Sequence, residues 1–212
     1  LGTMPAEAWT EMPSDVGDKI ASDSWGFVPN EAYEDLNAEV FQSIPGEGFE
    51  VIDAEAYGHM QNEAFGHMEP EAFGHVETEA FGFMKPESFG HVQNEGFENI
   101  GDEAFGEMDI DSFGFMGDEA FGFMGDQAFG HMDPEAFGKM GDGAFGMMGD
   151  EAFGAMPLDG FSAMGDTAFG MMGEEAFGHM PAEAFGKMGN EAFGNMGDAA
   201  FGHMPTEAFG MM

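Results

Sequence analysis

Apolar residues return along this chain in one fixed grouping. A small residue is followed directly by an aromatic ring, and three positions later by a methionine or an aliphatic side chain. Polar and turn-forming residues fill the gaps, as in GDEAFGFMGDQAFGHM, residues 117 to 132. With Pro5 as position one, residues 5–212 divide into 26 octads of the form x-x-E-A-F-G-x-M without an insertion. Position three is acidic in 22 octads, the exceptions being Gln127, Gly143, Thr167 and Ala199. Position five is aromatic everywhere except Gly17, position six is Gly in 19 octads, and position eight is always Met, Ile, Val or Leu.

An even repeat keeps a β-strand's faces constant from one octad to the next, whereas a continuous α-helix drifts by about 80° per octad and smears its apolar stripe. That arithmetic favours a β-solenoid with one strand per octad. The residue types favour the other solution. Ala, Glu, Gly, Pro and Asp are poor strand formers, and β-branched residues are nearly absent from the phrase. Positions four, five and eight are spaced i, i+1 and i+4, which gathers the small residue, the ring and Met on one helical face. Gly, Asp, Asn or Pro at positions one and two, followed by Glu, reads as a helix start. Gly at position six would supply a left-handed stop, and Pro at position one pushes the preceding residue out of the helix. The expectation is a repeat solenoid of short helical turns, broken and restarted every eight residues, with each octad stacked on the next into a rod. A single turn is not stable alone. The alternatives are the β-solenoid and a Gly-Met-Phe elastomer without a fixed fold.

Residues 1–60 are diverged octads of the same array, and residues 61–212 form its regular part. The early substitutions preserve chemistry: Trp9, Trp25 and Tyr33 stand for Phe, and Ile20, Val28 and Leu36 for Met. The first four residues fit positions five to eight, with Leu1 in the aromatic slot, so the chain reads as a segment of a longer repeat protein.

Composition narrows the classes of function. Four Lys and no Arg face 42 acidic residues, for a formal charge of -38. Phosphates would be repelled, which excludes nucleic acid and disfavours an anionic membrane surface. Divalent cations remain suitable partners. No cysteine is present, so there is neither a disulfide framework nor a thiolate site. No apolar run is long enough to insert into a membrane.

Carboxylates give the larger chemical signal. Asp102-Glu103, Asp118-Glu119 and Asp150-Glu151 pair acids at positions two and three, and hard oxygen ligands suit Ca²⁺. Neither an EF-hand loop nor the nonapeptide signature of calcium-binding β-rolls accompanies them. The competing reading is a solvated acidic face at helix N-termini. All seven histidines sit at position seven. His59-Met60, His67-Met68 and His75, in consecutive octads, are the place to look for Cu(I), which takes imidazole and thioether. Position seven also accepts Phe, Lys, Asn, Ala and Ser, which is the tolerance of an exposed site. Equivalent octads offer no differentiated catalytic cleft, so no enzyme is expected.

The phrase MPAEAFGKM, residues 180 to 188, resembles the Pro-x-x-Ala-Phe-x-x-Cys turn of leucine-rich repeats in bacterial surface proteins, which implies a short turn with Ala, Phe and the last residue inward. The Leu-rich strand half of that family is missing, so its horseshoe does not carry over. Nearly the whole chain is similar to octapeptide arrays of the Pro-Glu-Ala-Phe-x-x-Met kind in large secreted proteins of cyanobacteria and other bacteria. That resemblance implies an extracellular or cell-surface structural protein. The expected function is therefore a rod, fibre or filament that self-associates and attracts cations along an acidic face. The rival class is a repeat binding module for Ca²⁺, Cu(I), a polysaccharide or a mineral surface.

Overall fold

A computed structural model describes residues 6–211. Residues 1–5, with the partial octad and Leu1 in its aromatic slot, and Met212 lie outside the described set. The chain forms two compact units, Leu1–Phe115 and Met116–Met212. The change from diverged to regular octads near residue 60 falls inside the first of them.

Among the described residues there is no strand, which argues against one strand per octad. Each octad instead makes a single turn of 3-10 or α-helix. Asn62–Gly66 and Asp118–Gly122 are 3-10 turns, and Ala128–His131 is α-helical. The N–H of position four donates to the position-one carbonyl, and that of position seven to the position-four carbonyl. Ala64 to Gln61 and His67 to Ala64 illustrate the pair, each at 3.0 Å. Positions eight and one are extended, as in Met132 (φ -66°, ψ 144°) and Gly117 (φ -70°, ψ 151°). Those values are close to polyproline II, so a proline at position one fits without strain. Asn or Asp at position one adds a cap: Asn37, Asp53, Asp109 and Asp133 each accept the N–H two residues on, at 2.8–3.1 Å.

Stacking departs from the consecutive order expected from the sequence. An octad packs on the octad three places farther along, 24 residues away. Asp118–Gly122 lies against Asp142–Gly146, Ala128–His131 against Ala152–Ala155, and Asn62–Gly66 against Pro86–Gly90. Within each unit a coil is thus three octads, one to a side, and neighbouring octads occupy different sides.

Position-six glycine has a different role from the one the sequence implied. Among the described residues no glycine has a positive φ, so none acts as a left-handed stop. The reason for glycine is close approach. A Cβ at Gly66 would stand 3.1 Å from the His91 carbonyl oxygen, one at Gly122 3.1 Å from that of Met147, and one at Gly178 3.2 Å from that of His203. In each case position six lies beneath the position-seven carbonyl of the next coil, a spacing that a side chain would force apart.

The interior follows from the same register. Positions four, five and eight are buried through the body of both units; Phe65, Met68, Phe129 and Phe153 are fully covered. Position four must be small because a ring from the coil before rests on it. A Cβ at Gly96 would meet the Phe73 ring at 3.0 Å, and one at Gly160 the Phe137 ring at 2.8 Å. Where the ring is missing, Gly17 donates its N–H to the Ser43 hydroxyl at 2.9 Å, so a polar bridge between coils replaces the ring.

Two tyrosines keep the aromatic position while spanning consecutive octads. The Tyr33 hydroxyl donates to the Trp25 carbonyl at 3.0 Å, and that of Tyr57 to the Phe49 carbonyl at 3.1 Å, both inside the core. Burial pushes both phenols up from the ordinary value near 10. A phenol whose pKa is raised by folding stabilises the fold fully below its unfolded pKa. That contribution is lost as pH climbs towards the folded value. Urea unfolding of the whole chain is therefore expected to lose stability above about pH 10. A Tyr33→Phe/Tyr57→Phe variant should show a shallower alkaline loss, and an identical loss would remove the phenols as its cause.

Candidate functional surface

With the rings inside, the chemistry left to solvent is at positions one, two, three, six and seven. Side chains on these positions bridge successive coils in a regular way. In the first unit Asn37 donates to the Met12 carbonyl at 2.9 Å, Gln61 to that of Leu36 at 3.4 Å, and Lys85 to that of Met60 at 3.1 Å. These three position-one residues are 24 residues apart and run up one side of the coil.

In the second unit a row of aspartates takes over. The Asp118, Asp142 and Asp166 carboxylates, at position two, lean over the position-one glycine of the following coil. A Cβ at Gly141, Gly165 or Gly189 would lie 2.5, 3.3 or 2.9 Å from the respective Oδ1. Thr167 also donates a hydrogen bond to Asp142. Asp126 and Asp150 repeat the arrangement over Gly149 and Gly173 on another side. On the third side position two is Pro134, Leu158 and Ala182, and position one is Pro157, Pro181 and Pro205. A carboxylate at position two goes with glycine one coil on; without the carboxylate, proline is accommodated.

The predicted calcium residues are distributed by this geometry rather than gathered. Asp118-Glu119 and Asp150-Glu151 open turns on two different sides of the second unit, and Asp102-Glu103 opens the turn Asp102–Gly106 in the first. Among the described residues no three His, Asp or Glu side chains converge into a metal-binding group. An open groove of about 430 Å³ between Pro134 and Ser162 is lined by Asp133, Glu135 and Asp159, and Lys187 reaches Asp159 from the next coil at 3.0 Å.

His59, His67 and His75, in consecutive octads, fall on three sides of the coil. Register stacking instead sets His67 beneath His91, and His179 beneath His203. Met60 and Met68 are sealed in the core, apart from the surface on which their histidines sit. His75 has an assigned partner: its Nδ1 lies 2.6 Å from a Glu50 carboxylate oxygen. Glu50 holds a position-six place where most octads have glycine, and there a side-chain contact joins one coil to the next.

Little positive charge offsets the acids. Lys19 pairs with Asp15 four residues earlier, and its hydrogen bond and charge hold that carboxyl below its ordinary value. Lys85 and Lys187 are engaged as described. The exposed apolar residues are mostly at position seven, led by Phe27, Phe83, Phe115, Met147 and Met171. Among the described residues no helix is long and apolar enough to cross a membrane. No protein-family model and no curated protein matches the chain.

Proposed function

We propose that the chain is an extracellular or cell-surface structural repeat protein, which forms rods or fibres by coil-on-coil stacking and attracts divalent cations along its acidic sides. The observation that carries this reading is the sameness of the contact between coils. Position-six glycine meets the position-seven carbonyl of the next coil in octad after octad, so no octad is set apart for a catalytic task. A repeat that does one mechanical job many times has this organisation. With 42 acidic residues against four lysines, association between copies requires the charge to be screened or bridged, and Ca²⁺ has the oxygen preference to do it. The rival reading is a binding module that holds Ca²⁺ in ordered sites, and the Asp118–Asp142–Asp166 row favours it over a Cu(I) site.

Calcium titration of the purified chain separates the two. Sedimentation is expected to show Ca²⁺-dependent growth of assemblies that EDTA reverses, with calorimetry recording weak uptake and no saturating stoichiometry. Saturable binding to a chain that stays monodisperse would select the binding module. An unchanged sedimentation profile without heat would refute both.

A further inference from the structure

One side of the second unit departs from the rest in a way the structural role does not require. Phe123, Met147 and Met171 are all position-seven residues, 24 apart in sequence, and they stand on successive coils of the same side. Gly122 lies beneath the Met147 carbonyl and Gly146 beneath that of Met171, at 3.1 and 2.9 Å from a notional Cβ. These residues are 36%, 50% and 52% exposed. Elsewhere in this unit position seven carries His131, Ala155, His179 and His203 on one side, and Lys139, Ala163, Lys187 and then a single exposed apolar residue, Met211, on the other. Three large apolar groups in line on an acidic surface are a patch rather than scatter.

The charge beside the line is equally ordered. Two polar position-seven side chains reach back to positions two and three of the coil before. Asn195, next in the same column, donates to the Asp166 carbonyl at 3.0 Å, and Lys187 on another side reaches Asp159 at 3.0 Å. Met147 lies over the turn that Asp118 opens, and Met171 over the turn that Asp142 opens. The apolar line thus runs along the turns that carry the row Asp118, Asp142 and Asp166.

We infer that this side of the second unit, Phe123–Met147–Met171 with its flanking aspartate row, docks a basic amphipathic polypeptide segment whose apolar face covers the line and whose Lys or Arg residues meet the aspartates. Charge decides the occupant. A second copy would bring its own aspartate row against this one and add a formal charge of the same sign, whereas a cationic apolar segment complements both features at once. Thioether side chains suit such a site, because they adapt to partners of differing shape. The inference is independent of fibre formation, which concerns coil ends and bridging cations.

The test uses the full chain and three fluorescent peptides of about 18 residues, long enough for roughly five helical turns. One alternates Leu and Lys in an amphipathic helical pattern, one replaces Leu with Ser at equal charge, and one replaces Lys with Glu. Anisotropy titrations are run at about 0.15 M salt, where loose charge attraction is screened within about 8 Å. The Leu-Lys peptide is expected to bind at least about tenfold more tightly than either control. A Phe123→Ser/Met147→Gln/Met171→Gln variant should lose that advantage while its thermal unfolding midpoint stays unchanged. A Phe27→Ser/Phe83→Ser variant, altered only in the first unit, should retain it. Equal binding of the Ser-Lys peptide, or full binding by the triple variant, would overturn the proposal. So would calcium-free self-association that the triple variant abolishes, since the occupant would then be a second copy.

Discussion

Replacing Phe129 with alanine is expected to cost about 3–5 kcal/mol of folding stability, whereas the same change at Phe123 should cost less than about 1 kcal/mol. The two rings are six residues apart and belong to neighbouring octads. Phe129 holds position five and is fully buried, while Phe123 holds position seven and is about one-third exposed. Truncating Phe129 opens a void between coils, because position-five rings rest on the small position-four residue of the coil beyond. Neighbours fixed by two stacking contacts close such a void poorly. Equilibrium urea unfolding of both variants measures the difference, and equal losses would mean that position five is not the core.

The second large effect comes from the smallest residue. Gly58→Ala is expected to destabilise by about 1–3 kcal/mol, although alanine is the better helix former. A Cβ there would lie 2.8 Å from the Phe83 carbonyl oxygen, and that oxygen belongs to backbone of the next coil, which has no flexible end to move. Gly194→Ala is the matched control. The same octad position has nothing within 4 Å and no positive φ, so alanine there should be neutral or stabilise by up to about 1 kcal/mol. Opposite signs at two positions with the same place in the octad would separate close approach from intrinsic propensity.

The contrast shows what one sequence displays and what it hides. The helical turn per octad was legible, since Ala, Phe and Met at i, i+1 and i+4 can share a face only in a helix. The conservative exchanges at Trp25, Tyr33 and Leu36 pointed to the same interior, and all three are buried. Exposure of position seven was legible from its tolerance. The function of Gly66 and its equivalents was not, because glycine suits a left-handed stop and a close approach equally well. The backbone φ of the glycine and the partner carbonyl 25 residues away distinguish them.

The three-octad coil was hidden by the near identity of its octads. A signal for it is nevertheless present at position one of the second unit. There Gly, Gly, Pro recurs through Gly141-Gly149-Pro157, Gly165-Gly173-Pro181 and Gly189-Gly197-Pro205. The cause is physical: Asp118 and Asp142 crowd Gly141 and Gly165 one coil on, while Pro134 and Leu158 leave room for proline. The same geometry accounts for the candidate metal residues. His59, His67 and His75 are neighbours in sequence and separated on the coil. His67 and His91, farther apart in the chain, occupy the same side.

Spin labels on pairs of introduced cysteines test the coil most directly, because the chain has no native thiol to compete for the label. Positions 147 and 171, three octads apart, are to be compared with positions 147 and 155, one octad apart, all at exposed or half-exposed position seven. Stacking three octads to the coil predicts that the 147–171 pair gives the shorter distance and the stronger dipolar coupling. A shorter distance for 147–155 would mean that consecutive octads stack on each other, and the coil described above would be wrong.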